Sequence, residues 1–130
     1  MTKKETDYAL LKFRNALTRL REGTSQAEDE LGKDGVIQRF EFTFELLWKA
    51  LRIVLENKGT FCKTPKDCLQ TSFQKGLLED EQPFLDMLED RNKTSHIYDE
   101  SESKKIYEKI KNGHIKLLDS LKQSITSFKN

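Results

Sequence analysis

Proline and glycine are scarce in this sequence, 2 and 6 among 130 residues. Sandwiches and barrels spend both residues on their many turns, so the shortage argues against them. Alternating β-type runs are also absent. No apolar run approaches the roughly 18–20 residues of a membrane-spanning helix, so no membrane association of that kind is expected. Met1 to Asp7 is polar and lacks the apolar stretch of a signal peptide, so nothing directs the chain out of the cytoplasm. There are only 2 cysteines, Cys62 and Cys68. Their spacing is neither a CxxC redox pair nor half of a zinc site, and a reducing compartment leaves the expectation of two buried or half-buried thiols. Nor does one sign of charge dominate. Lys+Arg 23 against Asp+Glu 22 leaves a net charge of +1, which argues against a generic DNA-coating protein.

What the chain does have is charge and apolar residues in equal measure, 35% each, including 8 Phe and 1 Trp. That mixture suits amphipathic helices around a small aromatic core. The first helix is expected from about Lys4 to Arg21, with Tyr8, Leu10, Leu11, Phe13, Leu17 and Leu20 on or beside its apolar stripe, ending at Gly23-Thr24. Ser25 to Leu31 reads as a short acidic turn, punctuated by Gly32 and Gly35. The second helix carries the clearest stripe, from Val36, Ile37, Phe40 and Phe44 through Leu47, Trp48, Leu51, Val54 and Leu55 to a stop near Gly59. Phe40, Phe44 and Trp48 are expected in the core. Thr64-Pro65 reads as an N-cap followed by proline in the first turn. The third helix then runs to Lys75-Gly76, with Leu69, Phe73 and Cys68 facing inward. A fourth, bearing Phe84, Leu85, Met87 and Leu88, ends near Asp90. The last spans about Ser101 to Ser127 and is interrupted at Gly113. The expected fold is all-α, an antiparallel four-helix bundle with short extra helices, in one domain over residues 1–130.

Charge is uneven along this bundle. Residues 79–102 hold nine acids (Glu79, Asp80, Glu81, Asp86, Glu89, Asp90, Asp99, Glu100, Glu102) against Arg91 and Lys93, whereas residues 104–130 hold seven lysines against Glu108 and Asp119. The lysines form either a solvated face or a surface for phosphates or an acidic partner.

Glycine-rich phosphate loops, GxSxG, HExxH and EF-hand loops are all missing, and no metal site or cofactor is expected. Chemistry therefore concentrates in Asp90-Arg91-Asn92-Lys93-Thr94-Ser95-His96-Ile97-Tyr98, a polar passage at a helix end. Histidine exchanges protons near neutral pH, and arginine presents a planar fork to phosphate oxygens. Together they are the minimum set for metal-free RNA cleavage, in which a base frees the 2′-hydroxyl and arginine stabilises charge on phosphorus. On a continuous helix, five residues at about 100° each place Arg91 and His96 roughly 140° apart. Either the helix ends between them or two chains assemble the site. By spacing alone, Arg91 pairing with local acids and His96 capping a helix is the favoured reading. His114, in the last helix, is expected away from this motif as a surface or packing residue.

The stretch Phe84-Leu85-Asp86-Met87-Leu88-Glu89-Asp90-Arg91-Asn92-Lys93-Thr94-Ser95-His96-Ile97-Tyr98-Asp99 closely resembles the signature of the nucleotidyltransferase substrate-binding proteins, a family of the HEPN superfamily of small helical bundles. Arg39-Phe40-Glu41-Phe42-Thr43-Phe44-Glu45-Leu46-Leu47-Trp48-Lys49-Ala50-Leu51 resembles the family too, as does Thr64-Pro65-Lys66-Asp67 followed by Phe73-Gln74-Lys75-Gly76-Leu77. Three blocks in the right order are far more specific than one Arg-x4-His pair.

The resemblance implies a cytoplasmic homodimer made alongside, and bound to, a minimal nucleotidyltransferase (MNT). In the wider superfamily Arg-x4-6-His marks a metal-independent RNase assembled at the dimer interface. Arg91 and His96 match its catalytic pair, while Asn92 matches the polar residue that often follows the arginine. Lys93, beside them, is a candidate substrate contact. In the MNT–HEPN toxin–antitoxin branch the motif reads Arg-x4-His-x-Tyr, and the partner silences the RNase by transferring AMP to the tyrosine, here Tyr98. Three functions follow: an RNase toxin restrained through Tyr98, a non-catalytic subunit that holds nucleotide or substrate for a two-chain nucleotidyltransferase, or a purely structural partner that stabilises the transferase, with the intact Arg–His–Tyr set favouring the first over the third. The acidic flank of the motif weighs mildly against RNA binding by the free chain and keeps the second open.

Overall fold

A computed structural model describes residues 3–97 and 99–129 and shows six α-helices: α1 (Lys3–Gln26), α2 (Glu30–Asn57), α3 (Pro65–Gln74), α4 (Gln82–Lys93), α5 (Glu100–Lys109) and α6 (Ile115–Lys129). A 3-10 turn, Thr94–His96, extends α4, and a π-helical turn, Ile110–His114, joins α5 to α6. Among the described residues there is no strand. The chain is a helical bundle, as its periodicity predicts.

α2 is the spine. Phe40, Phe44, Leu47, Ala50, Leu51 and Leu55 have no solvent exposure, and their helix packs against α1, α3, α4, α5 and α6. α1 lies antiparallel to it, since Asn57 Nδ2 donates to Thr6 Oγ1 at one end and Thr43 Oγ1 to the Ala16 carbonyl further along. α6 lies antiparallel to α1, through Arg14 with Thr126 and the ion pair of Arg21 with Asp119.

Local signals explain the ends. Asp29 caps α2 by accepting from the Gly32 N–H, and Thr64 caps α3 by accepting from the Asp67 N–H, with Pro65 next. Gly59 and Gly76 sit at φ of +83° and +82° just beyond α2 and α3, where a side chain would be strained.

Several expectations are corrected. α1 runs on through Gly23 because this glycine serves packing rather than chain reversal: a Cβ there would lie 3.3 Å from Arg39 Cδ of α2. α2 likewise begins at Glu30 and contains Gly32 and Gly35. Tyr8 and Leu11 face solvent, because the buried row of α1 is Leu10, Phe13, Leu17 and Leu20. Phe73 is 40% exposed, while Cys68 and Leu69 face inward. The cysteines are not free thiols. The turn into Thr64-Pro65 brings Cys62 and Cys68 to a Cα separation of 5.1 Å, and they form a disulfide. It closes a short loop, and chain entropy assigns that closure about 2 kcal/mol. The oxidised chain should show no thiol to Ellman's reagent in denaturant, and reduction should lower its unfolding free energy in urea by about 2 kcal/mol.

Candidate functional site

α4 is apolar along Phe84 and Met87, and three residues further on this buried row reaches a carboxylate, Asp90, only 3% exposed. A buried charge is costly unless both oxygens are met. Here they are. His114 donates from Nε2 to Asp90 Oδ2 at 2.7 Å, and Lys109 Nζ donates to Oδ1 at 3.1 Å. His114 is 7% exposed and its ring stacks on Phe40 of α2, centroids 5.4 Å apart and planes within 14°. The π-helical turn around Gly113 carries His114 into this position, an arrangement common where a helix is bent to place one side chain. His114 is thus not remote from the motif, as its place in the last helix led us to expect. It is bonded to the residue that precedes Arg91.

Arg91 turns the other way, towards α2. Its Nη2 donates to Glu45 Oε2 and its Nη1 to Asn92 Oδ1, both at a long 3.4 Å, and its buried Nε has no hydrogen-bond partner among the described residues. Glu45 also accepts from the Trp48 indole at 3.0 Å and pairs with Lys49 at 3.4 Å. Burial alone raises the Glu45 carboxyl, but the Trp48 N–H, Lys49 and Arg91 together outweigh it and hold Glu45 below its ordinary value of 4.5.

His96 ends the 3-10 turn and is exposed. With Lys93, which pairs with Glu89 at 3.5 Å, it lines a groove of about 790 Å³ between the end of α4 and α5. Asp90, Lys104, Lys105 and Lys109 share that lining, whereas Arg91 does not. α4 therefore ends between Arg91 and His96, and Arg91 does not line the groove that His96 lines. Asn92 is exposed at the edge of a smaller cleft between α3 and α4. Tyr98, the modification candidate, lies outside the described residues. Among the described residues, no three His, Cys, Asp or Glu side chains are grouped to hold a metal ion, and no helix is long and apolar enough to cross a membrane.

The site is thus a helix end clamped by Asp90, with a lysine- and histidine-lined groove on one side and a half-exposed arginine on the other. The profile described as nucleotidyltransferase substrate binding protein like matches residues 8–127, and the chain belongs to that family. A crystal structure of a protein from Thermus thermophilus is similar over 91% of this chain and 98% of its own, at 30% identity and a TM-score of 0.75. A Haemophilus influenzae protein, described as revealing the fold of a substrate-binding domain of a nucleotidyltransferase, matches 95% of this chain and 98% of its own at 22% identity and a TM-score of 0.66. A search of curated proteins found no match.

Two outcomes test this geometry. His114→Ala leaves Asp90 buried with only Lys109, and should cost about 3 kcal/mol in urea unfolding. Because Glu45 is held low, its contribution is present above the unfolded carboxyl's pKa and lost as pH falls through the depressed folded value. The stability gap between wild type and Glu45→Gln should therefore narrow on acidification below about pH 4.

Proposed function

We propose that this chain is the non-catalytic partner subunit of a separate cytoplasmic nucleotidyltransferase, and that it holds a phosphate-bearing substrate or nucleotide in the groove between α4 and α5. The observation that carries this is the groove's charge. Lys93, His96, Lys104, Lys105 and Lys109 face three acids, Asp90, Glu102 and Glu108, and Asp90 is already held by Lys109 and His114. Four lysines against those three acids leave one positive charge in excess, and Lys104 and Lys105 are the lysines of the lining not already paired with Glu89 or Asp90. A phosphate gains most where ammonium groups converge in a partly enclosed groove. Asp90 supports the groove by fixing Lys109 and the start of the Arg91–His96 segment.

One observation favours a second reading, a metal-independent endoribonuclease of the HEPN toxin type. The Arg91 guanidinium is only partly engaged, with two long contacts and an unpartnered buried Nε. In a homodimer, a second copy would bring its own His96 towards this Arg91. One imidazole takes the 2′-hydroxyl proton, the oxygen attacks phosphorus, the bond to the 5′-oxygen breaks, and the other imidazolium protonates that leaving oxygen. A cyclic phosphate results. In this reading the partner transfers AMP from ATP to the Tyr98 hydroxyl, releasing pyrophosphate, and the attached phosphate blocks RNA.

Calorimetric titration of the unmodified chain with ATP, beside cleavage of a labelled RNA in EDTA, separates the two. The intact mass is checked first for AMP on Tyr98. Subunit function predicts ATP binding weakened about tenfold by Lys105→Glu with His96→Ala, at roughly 1.4 kcal/mol per tenfold, and no RNA cleavage above Arg91→Ala and His96→Ala controls. Cleavage by wild type alone, leaving cyclic-phosphate ends, would establish the RNase reading instead.

A further inference from the structure

We propose that the outer groove between α1 and α2 is a second nucleotide-binding site, which stacks a base on Phe42 and holds phosphate with Arg19 and Arg39. It uses none of the residues of the α4–α5 groove and does not depend on the function proposed above. The cavity measures about 520 Å³, within the size range of small-ligand sites. Its α2 wall places Gly35, Gln38, Arg39 and Phe42 on one helical face, and its α1 wall contributes Lys12 and Arg19.

Three features point to a nucleotide. First, the lining holds three cations and no acid, in a chain whose acids and bases are nearly equal in number. Lys12 lies over the Tyr8 ring, 4.8 Å from its centroid, and among the described residues Lys12, Arg19 and Arg39 make no ion pair, so no carboxylate neutralises them. Two guanidinium forks in one groove match phosphate oxygens. Second, Phe42 is 61% exposed, whereas Phe40 and Phe44 in the same helix are fully buried. An exposed aromatic ring in a groove that also holds two arginines is a platform for a flat base, and Ala16 and Leu46 add apolar surface beside it. Third, a Cβ on Gly35 would meet nothing within 4 Å, so the groove stays open at the Arg39 end, and Gln38 offers an amide for the edge of a base. The same chemistry is offered by a free nucleotide and by a single RNA strand.

The test is titration of the full, 15N-labelled chain with ATP, with inorganic tripolyphosphate and with an adenine octaribonucleotide, read by amide shifts. ATP should move the resonances of Arg19, Gln38, Arg39 and Phe42. Phe42→Ala should weaken ATP at least about fivefold, as loss of one stacked base does, and leave tripolyphosphate unchanged. Arg39→Glu should weaken both ligands. Both side chains are exposed, and because the Arg39 stem lies against Gly23, both variants are first shown to be folded by circular dichroism. Tighter binding of the octaribonucleotide identifies a strand as the source, and equal or weaker binding identifies the free nucleotide. Absence of shifts at these residues at millimolar ATP, or an affinity for ATP untouched by Phe42→Ala, overturns the proposal. Repeating the titration in a chain carrying His96→Ala and Lys105→Glu keeps the two grooves distinguishable, because this response should persist there.

Discussion

A carboxylate sealed from water constrains the functional end of this bundle more than any other group. Asp90 lies on the apolar row of α4, where desolvation would be prohibitive without compensation. Compensation comes from a part of the chain 19 and 24 residues away, through Lys109 and His114. To deliver both, the last helix widens into a π turn, and Phe40 of α2 supports the imidazole from behind. One ionic cluster thus joins α2, α4 and the α5–α6 junction. The motif that follows Asp90 inherits its position from that junction.

From this arrangement the division of the motif follows. Leaving Asp90, the helix continues to Lys93 and tightens into the 3-10 turn that ends at His96. Arg91 is carried to the α2 side, where Glu45 meets it at a partly exposed pair of modest worth. His96 and Lys93 are carried to the α5 side, where the lysines densest in the C-terminal part of the sequence gather. Asp90 and Glu102 of the acidic segment line this groove too, with Glu108, and its four lysines exceed those three acids by one. A near-neutral protein gains a locally basic groove, the kind of field that draws in phosphate.

Much of the bundle was legible from residue spacing. The aromatic stripe of α2, the Thr64-Pro65 cap, the stops at Gly59 and Gly76 and the interruption near Gly113 all depend on contacts within a few residues. What escaped depends on contacts between helices. Adjacent Leu10 and Leu11 both fit a helical stripe, and only the direction of α2 decides that Leu10 is buried. Gly23 looks like a stop until Arg39 is seen against it. The Cys62–Cys68 bond follows from a turn that brings the two together, which compartment arguments do not weigh. The largest omission is Asp90 with His114. A signal existed, since Phe84, Met87 and Asp90 repeat every three residues, and a charge on that row demands a partner. Of the two histidines, only the one outside the motif met that demand.

The account makes Asp90 an anchor rather than a charge in the groove, and these two roles predict opposite signs. The decisive measurement is the ATP affinity of Asp90→Asn, made on protein shown to be folded by its far-ultraviolet circular dichroism. If Asp90 fixes Lys109 and the Arg91–His96 segment, the variant binds ATP more weakly than wild type, although it has lost a negative charge from the groove wall. If binding strengthens, as removal of a repelling carboxylate alone would require, Asp90 does not position the site and the central claim fails.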